Sequence, residues 1–223
     1  MFLIIVRLLV YQHILLKRMV KELTKNYKQW LWLIPFIAFL LDFFCITYRL
    51  STGIDQEVYQ FLHTIQNPVL TQIFKMITFL GSSYCLIGLG IVVAIIQYKK
   101  GILYGIHLGL VHIINNMIKA FIKRPRPNPI YHLVKETNYS FPSGHAMAST
   151  IAYCMLDDYL QQTSLPYKNI IHIVMYSLIF LICLSRVYLG VHYFSDVLGG
   201  FLFSLSYYLF IKYHYLLNPK HNA

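Results

Sequence analysis

The chain has 223 residues, 57% of them hydrophobic and only 12% charged, about half the charged share of a soluble domain. With a mean hydropathy of +0.55, this composition excludes a soluble globular enzyme, and the length leaves no room for a soluble domain beside about six crossings of roughly 20 residues each. The net charge of +11 does not indicate nucleic acid: lysines flanking apolar runs fix topology and meet anionic headgroups, and the sequence has no basic, aromatic-interleaved soluble surface.

Residues 1–16, MFLIIVRLLVYQHILL, are apolar but short for a span and are interrupted by Arg7. They lack the basic start and small-residue cleavage site of a leader peptide, and read either as an interfacial helix or as an extension upstream of a start at Met19. Continuous apolar runs follow at 30–50, 81–98, 102–122, 144–161, 169–187 and 194–215. They predict an all-α, polytopic membrane bundle of six transmembrane helices. The expected organisation is a cytoplasmic or interfacial segment over 1–29, one membrane domain over 30–215 and a short cytoplasmic tail over 216–223.

Between the first two runs lies a stretch of mixed polarity containing Pro68, read as one or two amphipathic helices on the membrane face. Lys17, Arg18, Lys21, Lys25, Lys28, Lys99, Lys100, Lys168, Lys212 and Lys220 all fall on one side of the six-span topology, which makes both termini cytoplasmic. The 123–143 loop is then external, yet it carries Lys123, Arg124, Arg126 and Lys135. Anion binding explains a basic cluster on that side. Cys45, Cys85, Cys154 and Cys183 lie far apart without a Cys-x-x-Cys pair and read as buried small hydrophobes.

Three polar islands interrupt the apolar pattern. In the third span Gly105, Gly109, His112, Asn116 and Lys119 recur every three or four residues and form one helical stripe, whose glycines suit close helix approach. Lys119, with Arg126 in the proline-stiffened KRPRPNP that follows, offers a point charge and a planar fork to phosphate oxygens. The second island is YSFPSGH at 139–145, where Ser143 and Gly144 expose backbone N–H groups at a helix start beside His145. A capped helix with an incidental histidine also fits that island. The third is SRVYLGVHYFSD, 185–196: on a helix His192 and Asp196 share a face, so the carboxylate accepts the Nδ1 proton and leaves Nε2 as a nucleophile. A buried structural His–Asp pair is the alternative. All three islands map to the external face.

Taken together, Lys119-x6-Arg126-Pro127, Pro142-Ser143-Gly144-His145 and Ser185-Arg186-x5-His192-x3-Asp196 closely resemble the three signature motifs of the type 2 phosphatidic acid phosphatase (PAP2) superfamily. The resemblance implies a membrane lipid phosphatase that needs no metal or other cofactor. It implies that His192 attacks phosphorus, Asp196 orients it and His145 protonates the leaving oxygen. Lys119, Arg126, Ser143, Gly144 and Arg186 match positions that bind the phosphoryl oxygens.

The implied partners are a lipid phosphate such as phosphatidylglycerol phosphate, phosphatidate or undecaprenyl pyrophosphate, and the plasma-membrane bilayer itself. Oligomeric state is not readable. A six-span transporter or channel is the competing class, but such proteins are often built from inverted repeats with helices broken near the midplane, and neither is evident here. His107, His112 and His172 fit packing better than haem ligation, and Asp42, Asp157 and Asp158 need polar partners.

Overall fold

The structure, a computed structural model, describes residues 11–17, 19 and 27–216. Most of the N-terminal segment expected over 1–29, and residues 217–223 of the tail, lie outside the described residues. The main helices are α1 (Leu33–Thr47), α2 (Thr52–Thr64), α3 (Pro68–Leu80), α4 (Ser83–Ile96), α5 (Tyr98–Ile122), α6 (Gly144–Gln161), α7 (Lys168–Tyr188) and α8 (Phe194–Ile211). The fold is all-α, with no strand among the described residues.

Local chemistry sets the breaks between helices. Asn67 caps α3 by accepting the Leu70 N–H at 2.9 Å, and Pro68 occupies the first turn, where its missing N–H is harmless. The Ser82 hydroxyl accepts the Cys85 N–H at 3.3 Å to start α4. Helix α5 ends at Lys123 in the left-handed region (φ 52°), and Pro125 and Pro127 prevent it from resuming.

Helix α6 is the axis of the bundle, packed against α5, α7 and α8, while α1 lies along α8 and α3 along α7. Ala146, Met147, Ile151, Ile179, Ile182 and Val111 are among its fully enclosed contacts. Large apolar side chains point the other way: Ile37, Leu41, Ile91, Ile95, Phe121 and Phe180 are exposed on the outside of the bundle, the pattern of a lipid-facing surface. The chain is a multi-pass membrane protein.

Its crossings are less uniform than six equal runs. Among the described residues, only α5, α7 and α8 with its terminal turn are individually long and apolar enough to span. Helices α1 and α4 have 15 and 14 residues, and each continues through a bend, 93° from α1 into α2 and 46° between α3 and α4. The expected surface segment is therefore two helices, of which α2 turns sharply away and α3 runs obliquely into α4. Helix α6, enclosed by its neighbours, tolerates Ser149, Thr150, Asp157 and Asp158 and needs no continuous apolar girdle.

Glycines allow close approach at three places that shape one end of the bundle. A Cβ on Gly200 would meet the Ser143 carbonyl at 2.8 Å, and one on Gly199 the Phe141 ring at 2.5 Å and Asp42 Oδ2 at 2.6 Å. At the bend before α4, a Cβ on Gly81 would meet Ile182 at 2.6 Å and His145 at 3.4 Å. By contrast, Gly105 and Gly109 would meet nothing within 4 Å. They do not serve helix approach as their spacing suggests; they keep open an apolar groove between α4 and α5.

These contacts separate the glycines experimentally. Gly200→Ala is expected to destabilise by about 1–3 kcal/mol through overpacking against backbone, read as a lowered Tm of the detergent-solubilised protein, whereas Gly105→Ala leaves Tm unchanged or slightly raised.

Candidate active site

The three polar islands meet at the end of the bundle where α5 finishes and α6 and α8 begin. Helix α5 delivers Lys119 from its last turn, and the N-terminus of α6 delivers Gly144 and His145. Between α7 and α8 the chain reverses at Gly190 (φ +73°), where a Cβ would lie 2.5 Å from the Tyr131 carbonyl, so only glycine fits. That reversal places His192 two residues before α8 starts. Lys119, Arg126, Glu136, Gly144, His145 and His192 line one cavity of about 160 Å³.

Each cation is held by oxygen. Lys119 Nζ donates to the carbonyls of Tyr139 and, at 3.2 Å, Ser140. Arg126 donates through Nε to Asn138 O and through Nη1 to Val191 O, both at 2.6 Å. Arg186 donates through Nη1 to Thr78 Oγ1 at 2.7 Å and through Nη2 to Glu136 Oε1 at 2.5 Å, while its Nε has no partner among the described residues. The other oxygen of Glu136 faces Arg126 Nη2 at 3.4 Å, so one carboxylate is shared between two guanidiniums.

His192 is 2% exposed. Arg126 Nη1 lies 3.3 Å from its Nε2, and a guanidinium can only donate, so Nε2 carries the lone pair and Nδ1 the proton. The Nδ1 side faces Ser140 Oγ at 3.4 Å and Asp196 Oδ2 at 3.6 Å. The direct His192–Asp196 hydrogen bond expected from i,i+4 spacing is thus not closed. Its premise fails because α8 starts only at Phe194, so the two residues do not share a helical turn. Instead, Ser140 Oγ donates to Asp196 and sits against both groups. Asp196 also accepts from the Tyr193 N–H at 2.9 Å and from Arg124 Nη1 at 2.6 Å.

Lys119, Arg126, Gly144, His145 and His192 therefore share the cavity wall, with Asp196 behind His192. Ser143 and Arg186 are buried and are not part of that wall. The Ser143 hydroxyl caps its own helix at Ala146 N–H, and its N–H donates to Asp196 O at 2.9 Å. Arg186 reaches the wall through Glu136. Sequence reading missed Ser140, Glu136 and Asp55, and also Asn115, whose amide donates to Pro142 O at 3.0 Å and steadies the turn before α6. It placed Arg124 in an anion-binding cluster, whereas its guanidinium binds Asp196 and Asp55. The repeated Arg-Pro of KRPRP, and a lone acid in a basic loop, were the available signals for Arg124 and Glu136; Asp55 carried none.

Two further spaces adjoin the cavity. The groove between α4 and α5, about 500 Å³, is walled mainly by apolar residues and shares Ser83, His112 and Ala148 with it. On the loop side, a recess of about 600 Å³ shares Arg126, Glu136 and Asn138. The three histidines weighed as haem ligands have local partners: His107 meets Tyr207 Oη at 2.7 Å, His112 meets Asn116 at 3.0 Å and His172 meets Asp157 at 2.7 Å. Asp158 is bound by Tyr208 and Lys212, while Asp42 Oδ2 has no partner among the described residues.

A small chamber lined by cations at one end of an apolar helix bundle, with the neutral His192 imidazole on its wall, fits a membrane-embedded phosphohydrolase. Comparison with known proteins narrows that class. The model of the PAP2 superfamily matches residues 100–219, and the chain belongs to that superfamily. It is 32% identical over 186 residues to phosphatidylglycerophosphatase B of Bacillus subtilis (strain 168), covering 79% of this chain and 91% of that one. It is 28% identical over 186 residues to an undecaprenyl-diphosphatase of Sulfolobus acidocaldarius, covering 80% and 86%. Among solved structures, a transmembrane PAP2 type phosphatidylglycerolphosphate phosphatase from Bacillus subtilis matches with a TM-score of 0.74 at 31% identity, covering 82% of this chain and 93% of that one.

Burial, then the cations Arg126, Arg186 and Lys119, hold the His192 imidazole well below its ordinary pKa. Below pH about 6.5 an unfolded histidine takes up a proton that native His192 refuses, so this residue's contribution to stability falls as the pH drops through that value. At pH 6, ¹⁵N-histidine spectra of the ligand-free protein are expected to show His192 as the neutral Nδ1–H tautomer; an imidazolium signal there would contradict the assignment.

Proposed function

We propose that the protein removes a phosphoryl group from membrane lipids through a phosphohistidine on His192. The observation that carries this reading is that the cationic cavity adjoins the apolar groove, with Ser83, His112 and Ala148 lining both. A lipid phosphate has the same two-part chemistry, an anionic head on an apolar tail.

In the proposed reaction the phosphoryl oxygens are held by Lys119, Arg126 and the N–H groups at Gly144. Arg186, displaced from Glu136, completes the charge, and the Ser143 cap holds the loop that presents them. The His192 Nε2 lone pair attacks phosphorus as the bond to the leaving oxygen breaks, and His145 gives that oxygen a proton. Asp196, with Ser140, keeps the Nδ1 proton in place and balances the positive charge that grows on the ring. Water then attacks the phosphohistidine, passes its proton to His145 and frees inorganic phosphate and His192.

The topology proposed with this chemistry has six crossings: α1, α4 continued by α3, α5, α6, α7 and α8, as one membrane domain over 30–215. Lys100 bonds Gln162, Lys168 bonds Gln161 O and Lys212 bonds Asp158, all at the far end of α6. Along α6, that end lies about 20–25 Å from His145. Lysines at one end support cytoplasmic termini in the plasma membrane, with the site on the external face. Phosphatidylglycerol phosphate and undecaprenyl pyrophosphate, named for the relatives, are the first substrates to test, with phosphatidate beside them.

The test is phosphate release by purified protein in lipid micelles, which needs no gradient and so separates a hydrolase from a transporter. His192→Ala is expected to lose at least about 10³-fold in kcat and His145→Ala about 10²- to 10⁴-fold. Arg126→Lys, which trades a fork for a point charge, raises KM roughly ten- to a hundredfold. Wild-type activity in His192→Ala, or no phosphate release from any of the three lipids, would refute the reading.

A further inference from the structure

Arg124 and Asp55 form a connected pair behind the nucleophile, and neither belongs to the phosphate cradle. Arg124 Nη1 donates to Asp196 Oδ1 at 2.6 Å and to Ser195 Oγ at 2.8 Å, and its Nη2 donates to Asp55 Oδ2 at 2.7 Å. Both terminal nitrogens are therefore taken. The guanidinium also lies over the Tyr193 ring, 4.4 Å from its centroid. Asp55, 1% exposed, accepts the Ser195 N–H at 2.9 Å and the Ser195 hydroxyl at 2.7 Å. A side chain from α2 thus binds the first turn of α8, the turn that carries Asp196.

We infer that Arg124, anchored by Asp55, is a positioning residue for the reaction: it fixes the Asp196 carboxylate against Ser140 and His192 and keeps the dyad from taking up a proton. The inference rests on the proposed roles of His192 and Asp196. Its geometric basis is the division of the Asp196 oxygens, one bound by Arg124, the other by Ser140 and the Tyr193 N–H. With Oδ1 released, the carboxylate is free to rotate about its last bond, and the Nδ1 proton of His192 loses a fixed acceptor. Asp55 braces Arg124 and Ser195 from α2, so this helix, outside the three signature motifs, has a share in the nucleophile's alignment.

The charge of Arg124 also acts on protonation. His192 is faced by Lys119 from α5, Arg126 from the loop, His145 from α6, Arg186 from α7 and Asp196 from α8. Asp196 is faced in addition by Asp42 from α1 and Asp55 from α2. Removing the Arg124 cation leaves Asp196 and these acids less compensated. A proton then enters the His192–Asp196 pair at higher pH, and the acid limb of the rate profile moves up.

The experiment compares folded Arg124→Gln, Arg124→Lys and Asp55→Asn proteins with wild type for kcat, KM, orthovanadate inhibition, the pH profile and Tm in detergent. Arg124→Gln is expected to lower kcat about 10- to 100-fold, with KM and vanadate inhibition within about threefold of wild type and the acid limb at higher pH. Arg124→Lys recovers most of the shift in the acid limb. Asp55→Asn lowers kcat by less and adds nothing to kcat when combined with Arg124→Gln; because it removes a negative charge facing Asp196, it does not move the acid limb up.

Three results would overturn the inference: kcat of Arg124→Gln within about twofold of wild type, vanadate inhibition weakened as much as in Arg126→Lys, or a lowered Tm with an unmoved pH limb. If Arg124→Gln does not fold, a kcat of Asp55→Asn within about twofold of wild type has the same force. Activity in His192→Ala or Asp196→Asn would instead remove the underlying mechanism, a result separable from these.

Discussion

Three cations brought together inside an apolar helix bundle are the constraint from which the rest of this site follows. Lys119, Arg126 and Arg186 are at or near full burial, where an unpaired charge is far more costly than in water. The surrounding chain answers with oxygen: the carbonyls of Asn138, Tyr139, Ser140 and Val191 turn inward, and Glu136 divides its carboxylate between two guanidiniums. Burial, then these cations, keep His192 neutral, the state the proposed nucleophile needs. A phosphoryl group would bring the negative charge the cluster lacks.

The left-handed turn at Lys123, the reversal at Gly190 and the close approach at Gly200 all lie at the end that bears this cluster. The far end has its own left-handed residue at Tyr167 and a π-turn over Lys212–Leu216. At the opposite end of α6, Asp157, Asp158, Lys168 and Lys212 form ordinary paired contacts. One end of the central helix is thus built for anchoring and the other for an anion. Between them, the open stripe at Gly105 and Gly109 leaves an apolar groove beside the polar chamber.

Much of this was legible in the sequence. A lysine, two arginines and two histidines set in apolar surroundings are costly enough to stand out, and their motif spacing identified the family. What spacing could not convey is which groups meet from distant parts of the chain. Asp55 lies 141 positions before Asp196, in a helix whose composition looks merely amphipathic, so nothing nearby marks it. Ser140 and Glu136 sit in an irregular loop where no periodicity applies. The His192–Asp196 spacing suggested a helical turn, but the helix starts two residues too late. Gly105 and Gly109 matched a helix-contact stripe because glycine lines an open groove as readily as a tight crossing. The bends beside α1 and α4 were likewise hidden, since an apolar run says how much lipid it faces and not whether it is straight.

The most direct measurement is rapid acid-free quenching of the enzyme during turnover of lipid labelled in its terminal phosphate, followed by peptide mapping. An acid-labile, alkali-stable phosphate on the peptide that contains His192, formed and lost at rates compatible with kcat, is the expected result. Turnover in which that peptide never carries label, or carries it on another residue, would contradict the mechanism at its centre.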